Sequence, residues 1–205
     1  MITRQNKFEP VNNRHIYDAL YSTLVYLKPK YCLEIGTFYG QSAEVFQAYF
    51  NEYCQDGKLI TCDIKKYVDF AHCPNVTQVI VHPHITNSAE WHYVKNNELL
   101  PPTRDPMDNV DIVRELFKDK FDFCFLDGDH QEISVYDDFL MAGELLLNPK
   151  YILFDDIDEP DKTIKRKHDS VRIYEQEIKN NEALNIYDFA DWGIWVGAAL
   201  LWEKK

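Results

Sequence analysis

Hydrophobic positions along the chain change period in a regular way. Ile16, Leu20, Leu24 and Leu27 recur at helical spacing between Asn13 and Leu27, which predicts a helix lying on a sheet before Pro29 turns the chain. The apolar run Tyr31 to Ile35 predicts a first buried strand, closed by Gly36 and followed by helix-compatible residues from Ser42 to Phe50. Leu59 to Ile64, Val76 to Val81, Phe121 to Leu126 and Tyr151 to Phe154 predict four further strands, with helices at Val110 to Lys118 and Ile133 to Leu147. Ser170 to Lys179 is amphipathic, with Val171, Tyr174 and Ile178 on one face. Leu184 to Phe189, a turn at Asp191-Trp192-Gly193 and Ile194 to Trp202 predict a closing β-hairpin. The order of elements implies an α/β fold: a doubly wound sheet of seven strands, mostly parallel, with an antiparallel C-terminal hairpin.

Length adds that residues 1–205 suit a single domain. Within it, residues 1–12 read as a loosely held arm. Residues 83–109, which carry Pro101-Pro102 and Pro106, read as a lid or insertion, because loops of that length are uncommon unless functional or disordered. Trp91, His92 and Tyr93 in this segment suit either packing or a substrate face, and His82 and His84 suit strand alternation or a metal pair.

Charge and cysteine usage narrow the class. Thirty-four acidic against 22 basic residues leave a formal charge of -12, which opposes nucleic acid as a partner, since affinity for phosphate backbones comes from Lys and Arg. Five cysteines without C-x-x-C spacing suit reduced thiols in a cytoplasmic protein. No apolar run reaches the roughly 18 residues needed to cross a bilayer, so no membrane association is expected.

The turn after the first strand carries the first chemical signal. Gly36 and Gly40 permit positive φ or close approach of a ligand to the main chain, in a crevice beyond the strand ends and beside a helix N-terminus. A dinucleotide fingerprint is disfavoured because Phe38 stands where its second glycine should be, and a phosphate-binding P-loop fails because Gln41 and Ser42 follow Gly40 with no lysine. An acid followed by G-x-x-x-G, here Glu34, Gly36 and Gly40, suits a ligand without phosphates whose ammonium group an acid can bind. A plain βα turn using the glycines for tightness is the alternative. Asp63 ends the second strand 23 residues after Gly40, where a carboxylate can accept two ribose hydroxyls or simply cap a loop.

The second signal is a density of carboxylates at two strand ends: Asp127-Gly128-Asp129-His130 after one strand and Asp155-Asp156 after the next. Like charges gathered at one sheet edge are costly unless a cation compensates them, and oxygen donors select a hard ion such as Mg²⁺. The alternative is that they cap helices and face solvent, for which Asp129 is a suitable N-cap.

Together these motifs resemble class I S-adenosylmethionine-dependent methyltransferases, which have a Rossmann-like fold. Asp-Gly-Asp-His, followed 28 positions after its first Asp by Asp-Asp, resembles the metal-dependent small-molecule O-methyltransferases: the catechol O-methyltransferase-like, antibiotic-sugar and cephalosporin-biosynthesis enzymes. The likeness spans about residues 30–160, and Val171-Arg172-Ile173-Tyr174-Glu175 resembles their post-sheet helix. It implies cofactor contacts at Glu34, Gly36, Thr37, Gly40, Ser42, Asp63, Ser88 and Asp127, with Asn87-Ser88 near the adenine. It also implies Mg²⁺ ligands at Asp127, Asp155 and Asp156, and a catalytic base at Asp129 or His130. The catechol enzymes carry Asp-Asn at the second pair and no glycine after the first metal Asp, so catechol specificity does not carry over.

The implied activity is methyl transfer from S-adenosylmethionine to a hydroxyl of a small molecule, a sugar or glycan, with Mg²⁺ assistance. The basic run Lys162, Lys165, Arg166, Lys167 and His168 is either solvated or a grip for the phosphates of a nucleotide-sugar. Alternatives are a metal-independent N- or nucleic-acid methyltransferase of the same fold, an idle cofactor-binding module, and, more remotely, a metal hydrolase. Whether the chain forms a homo-oligomer stays open.

Overall fold

In the computed structural model the described residues are 14–63, 68–80, 94–95, 98–99, 120–128, 132–157, 169–189 and 198–204. The arm, most of the lid segment, the helix expected at Val110 to Lys118, the hairpin turn at residues 191–193 and the basic run at residues 162–168 lie outside them.

Helix α1, Arg14–Leu27, buries Ile16, Leu20 and Leu24 as their spacing requires. Lys28, with φ +54°, ends it in the left-handed region, and Pro29 turns the chain into strand β1, Tyr31–Ile35. The start of β1 is tied down by Asp122, whose carboxylate accepts the Lys30 and Tyr31 N–H groups at 2.9 and 2.8 Å. Helix α2, Gln41–Tyr53, leads to β2, Lys58–Asp63, and β3, Val76–Ile80. A two-residue ladder pairs β4, Val94–Lys95, with β5, Glu98–Leu99. Strand β6, Phe121–Leu126, helix α3, Glu132–Leu145, and β7, Leu146–Phe154, follow. Helix α4, Asp169–Ile173, widens into a π turn over Tyr174–Ile178, before β8, Leu184–Asp188, and β9, Ala199–Glu203.

The main sheet has seven strands in the order β3-β2-β1-β6-β7-β9-β8. The first five are parallel and β9 joins β7 antiparallel, with β8 antiparallel at the edge. This is the expected doubly wound, Rossmann-like sheet. The chain runs outward from β1 through β2 to β3, then returns to β6 on the other side of β1. The crevice between diverging connections therefore opens at the carboxyl ends of β1 and β6.

Alternation along the strands separates two cores. Cys32, Leu59, Phe123, Phe125 and Leu153 pack with α1 and α2, including Phe46, Tyr49 and Phe50. Leu33, Ile35, Cys124, Leu126, Ile152 and Phe154 pack on the opposite face with α3, α4 and the π turn. Because the side-chain period of a strand is two, Glu34 lies on the α2 face beside Cys32.

Two expected boundaries move. Strand β7 begins at Leu146, well before Tyr151, because Leu146 pairs with Phe121 and the ladder resumes at Tyr151 opposite Phe123, leaving Asn148-Pro149 inside an irregularity. The last helical segment is α-helical only to Ile173, after which the Lys179 N–H reaches the Tyr174 carbonyl at 2.7 Å. Val171, Tyr174 and Ile178 are nonetheless all buried on one side.

Candidate active site at the ends of β1, β2, β6 and β7

The turn after β1 is built against the turn after β6. Gly36 has φ +101°, and a Cβ there would sit 1.6 Å from the Asp127 carbonyl oxygen. Only glycine fits, on both conformational and steric grounds. Its N–H donates to the Cys62 carbonyl at 2.9 Å, and the Asp127 N–H donates to the Ile35 carbonyl at 2.8 Å, so the ladder holds the turn on both sides. Gly40, with φ +75°, is the N-cap of α2 and makes no side-chain cap, and a Cβ on it would meet the Phe70 ring at 2.7 Å. Between the glycines Phe38 has φ +41°, and the Phe38 and Tyr39 rings lie 4.0 Å apart and are 58% and 62% exposed.

Asp63 braces this loop from the end of β2. Its Oδ2 accepts the Thr37 N–H at 3.0 Å and the Phe38 N–H at 2.7 Å. Charge-assisted bonds of this kind each contribute about 1.5–3 kcal/mol. The carboxylate thus supports the loop after β1, a task that spacing did not indicate.

Glu34 is wholly buried. Its Oε2 accepts the Thr61 hydroxyl and its carboxyl also bonds Ser42, while Oε1 has no hydrogen-bond partner among the described residues. Burial pushes its pKa from the usual carboxylate range up to about 7, opposed by the bonds from Ser42 and Thr61 and reinforced by the Asp63 charge. Thr37 is buried as well, its hydroxyl 2.6 Å from that of Thr61. Thr61 escapes a reading of the sequence because threonine is an ordinary strand former. The available signal is a hydroxyl at the inward position two residues after buried Leu59.

Asp127 and Asp155 stand half-buried at neighbouring strand ends. Burial, followed by the charges of Asp155, Asp156 and Glu34, holds the Asp127 carboxyl well above its ordinary range. Asp155 is pushed up by burial and by Asp156, and pulled back by the Asp156 N–H, which donates to its Oδ1 at 2.8 Å. Asp156 is left-handed at φ +54°, its carbonyl accepting the buried Ser170 hydroxyl at 2.8 Å. Among the described residues no three His, Cys, Asp or Glu side chains are arranged to hold a metal. Ser88, Asn87, Asp129 and His130 lie outside the described residues, as do Trp91, His92, Tyr93, His82 and His84.

The structure therefore brings Glu34, Gly36, Thr37, Gly40, Ser42, Asp63 and Asp127 together at the carboxyl ends of β1, β2 and β6, with Asp155 and Asp156 at the end of β7 beside them. Sheet order, glycine turn and the acid ending β2 define a class I S-adenosylmethionine-dependent methyltransferase. A family described as "Methyltransferase domain" matches residues 33–157, and the chain belongs to that family. No curated protein matches it. Among solved structures it is similar to the O-methyltransferase from Bacillus cereus in complex with S-adenosylhomocysteine, at 16% identity, 95% of this chain, 84% of that chain and a TM-score of 0.57. It is similar too to the O-methyltransferase TomG from Streptomyces achromogenes, involved in tomaymycin synthesis and in complex with S-adenosylmethionine, at 17% identity, covering 93% and 80%, TM-score 0.56. A third is the S-adenosylhomocysteine-bound methyltransferase PaMTH1 of Podospora anserina, at 14% identity, covering 93% and 78%, TM-score 0.57.

Proposed function

We propose that this chain transfers the methyl group of S-adenosylmethionine to a hydroxyl of a small molecule, a sugar or nucleotide-linked sugar, with assistance from Mg²⁺. The observation that carries the reading is the adjacency of two features: a glycine turn braced by Asp63, and the carboxylates Asp127, Asp155 and Asp156 at the ends of the neighbouring strands β6 and β7. The crevice takes the cofactor along Gly36, Thr37 and Gly40, with Asp63 at the ribose, Ser42 and Glu34 beneath the loop, and Ser88 toward the base. Burial, and after it the neighbouring carboxylates, disfavour charge on Asp127 and Asp155, and a bound cation would offset both.

Asp127, Asp155 and Asp156 supply oxygen donors of the kind a hard divalent ion prefers, but these three are not grouped as a ligand set, so a bound Mg²⁺ would need ligands from beyond the described residues. When bound, Mg²⁺ lowers the pKa of an acceptor hydroxyl and fixes its position. The protein's own part is alignment, since the sulfonium is already activated and the displacement is in line. The resemblance assigns removal of the acceptor proton to Asp129 or His130. The five cysteines are free thiols, in keeping with a reducing, cytoplasmic compartment.

A metal-independent transfer is the second reading, favoured by the lack of a three-ligand group among the described residues. Turnover on a panel of sugars and nucleotide-sugars, with and without EDTA, separates the two. Loss of turnover in EDTA that Mg²⁺ restores supports the first reading, and unchanged turnover supports the second. Cofactor binding without turnover on any acceptor contradicts both.

A further inference from the structure

Thr61 is fully buried beneath the loop after β1 and joins that loop to strands β1 and β2. It lies in register opposite Glu34 across the β1–β2 ladder, and both side chains face α2. Its hydroxyl donates to Glu34 Oε2 and lies 2.6 Å from the Thr37 hydroxyl, which completes a line from strand β1 through strand β2 to the loop. One residue further along the main chain, the Phe38 N–H, and the Thr37 N–H itself, are the groups that Asp63 holds. Loop position is thus set from below by hydroxyls and from the side by a carboxylate.

We propose that Thr61 is a positioning residue for the cofactor loop, its hydroxyl fixing Thr37 relative to Glu34 so that the loop is preformed for the nucleoside. The link is shielded from bulk solvent, since Glu34 and Thr61 are fully buried and Thr37 nearly so. A valine at position 61 has the same shape and no hydroxyl, leaving Glu34 Oε2 and the Thr37 hydroxyl without the group they share. In such surroundings a lost polar partner is felt fully, because no solvent replaces it. Glu34 Oε1, already without a hydrogen-bond partner among the described residues, adds to the sensitivity of the network.

This inference rests on the cofactor reading of the crevice, and two measurements keep the two apart. The first is calorimetric affinity for S-adenosylhomocysteine in the wild-type chain and in Thr61→Val, Thr61→Ser, Thr37→Val and the double Thr37→Val/Thr61→Val variant. Thr61→Val and Thr37→Val should each weaken binding about tenfold, the loss expected for one buried hydrogen-bonded link. Thr61→Ser should stay within about twofold of wild type, and the double variant should be no weaker than the poorer single variant. A general loss of stability would not produce this pattern. Val76→Ala, a core truncation on β3, should lower the unfolding midpoint and leave affinity unchanged.

The second measurement is amide exchange at Thr37 and Phe38 in the chain without ligand. Thr61→Val should speed exchange there relative to Val76→Ala, and Thr61→Ser should restore protection. A wild-type chain that takes up no cofactor would overturn the functional reading, while exchange would still decide the role of Thr61. Wild-type affinity in both valine variants, or unchanged exchange in Thr61→Val, overturns the positioning role. Should Thr61→Val fail to fold, amide exchange at Phe38 in Thr37→Val without ligand carries the same test from the other end of the link, faster exchange supporting it and unchanged exchange overturning it.

Discussion

Gly36 is where conformation and sterics make the same demand. At φ +101° a side chain is strained, and a methyl group would overlap the Asp127 carbonyl oxygen at 1.6 Å, in a residue whose N–H is tied to the Ile35 carbonyl. Gly36→Ala must therefore move the main chain of either β1 or β6. We predict a loss of several kcal/mol of stability, at the upper end of about 0.5–3 kcal/mol for common substitutions or beyond it, with cofactor binding abolished. Urea unfolding and calorimetry check both effects, and a well-folded variant that binds normally would contradict the assignment. Glu34 makes a different prediction. The folded chain raises its pKa to about 7, chiefly by burial, with Asp63 and Asp127 as the neighbouring charges and the Cys62 thiol nearby. The folded state therefore binds the proton more tightly than the unfolded one. The stability that this lends is complete below the ordinary carboxylate pKa and disappears as pH rises through about 7. Glu34→Gln does not titrate, so relative to wild type it should gain about 2–3 kcal/mol between pH 5 and pH 8. A stability difference that ignores pH would contradict the buried, proton-binding state of Glu34.

At the scale of elements, the strands around the site were legible because their signals are local. Phe121–Leu126 is apolar at every position but Asp122, and Gly36 directly follows a short, mostly apolar run, so strand and turn both announce themselves. The start of β7 was hidden, since Asn148-Pro149 has the chemistry of a turn and only pairing with β6 draws Leu146 into the ladder. The π turn was hidden for another reason: Tyr174 and Ile178 keep the spacing of an apolar helix face whichever carbonyl their neighbours bond. Asp127, Asp155 and Asp156 could be read as neighbours at one sheet edge from their places after two successive strands, and the sheet order does set β6 beside β7. The left-handed Asp156 and its tie to Ser170 left no trace in the sequence. Removing one member of this acid group tests its purpose. Asp155→Ala should abolish transfer while cofactor affinity changes by less than about threefold, a change under about 0.7 kcal/mol. Equal loss of both would make the acids part of the scaffold.

For the whole molecule, two cores on opposite faces of one sheet hold the crevice open at a rigid edge. Phe46 is fully buried between α2 and the sheet, close to Phe50 and Phe123. Phe46→Ala should cost about 3–5 kcal/mol of unfolding free energy, and binding should survive in whatever fraction remains folded. An uncharged acceptor feels little long-range field even from a chain of formal charge -12, so its KM should depend weakly on salt. The central claim is that a sulfonium nucleoside binds across the ends of β1 and β2, against the loop that Asp63 braces. Calorimetric titration of S-adenosylmethionine into the wild-type chain and into Asp63→Ala tests it most directly. The account predicts one site per chain in wild type and at least a tenfold weaker site, or none, in the variant. Equal affinity in the two proteins, or no binding to the wild-type chain, would contradict it.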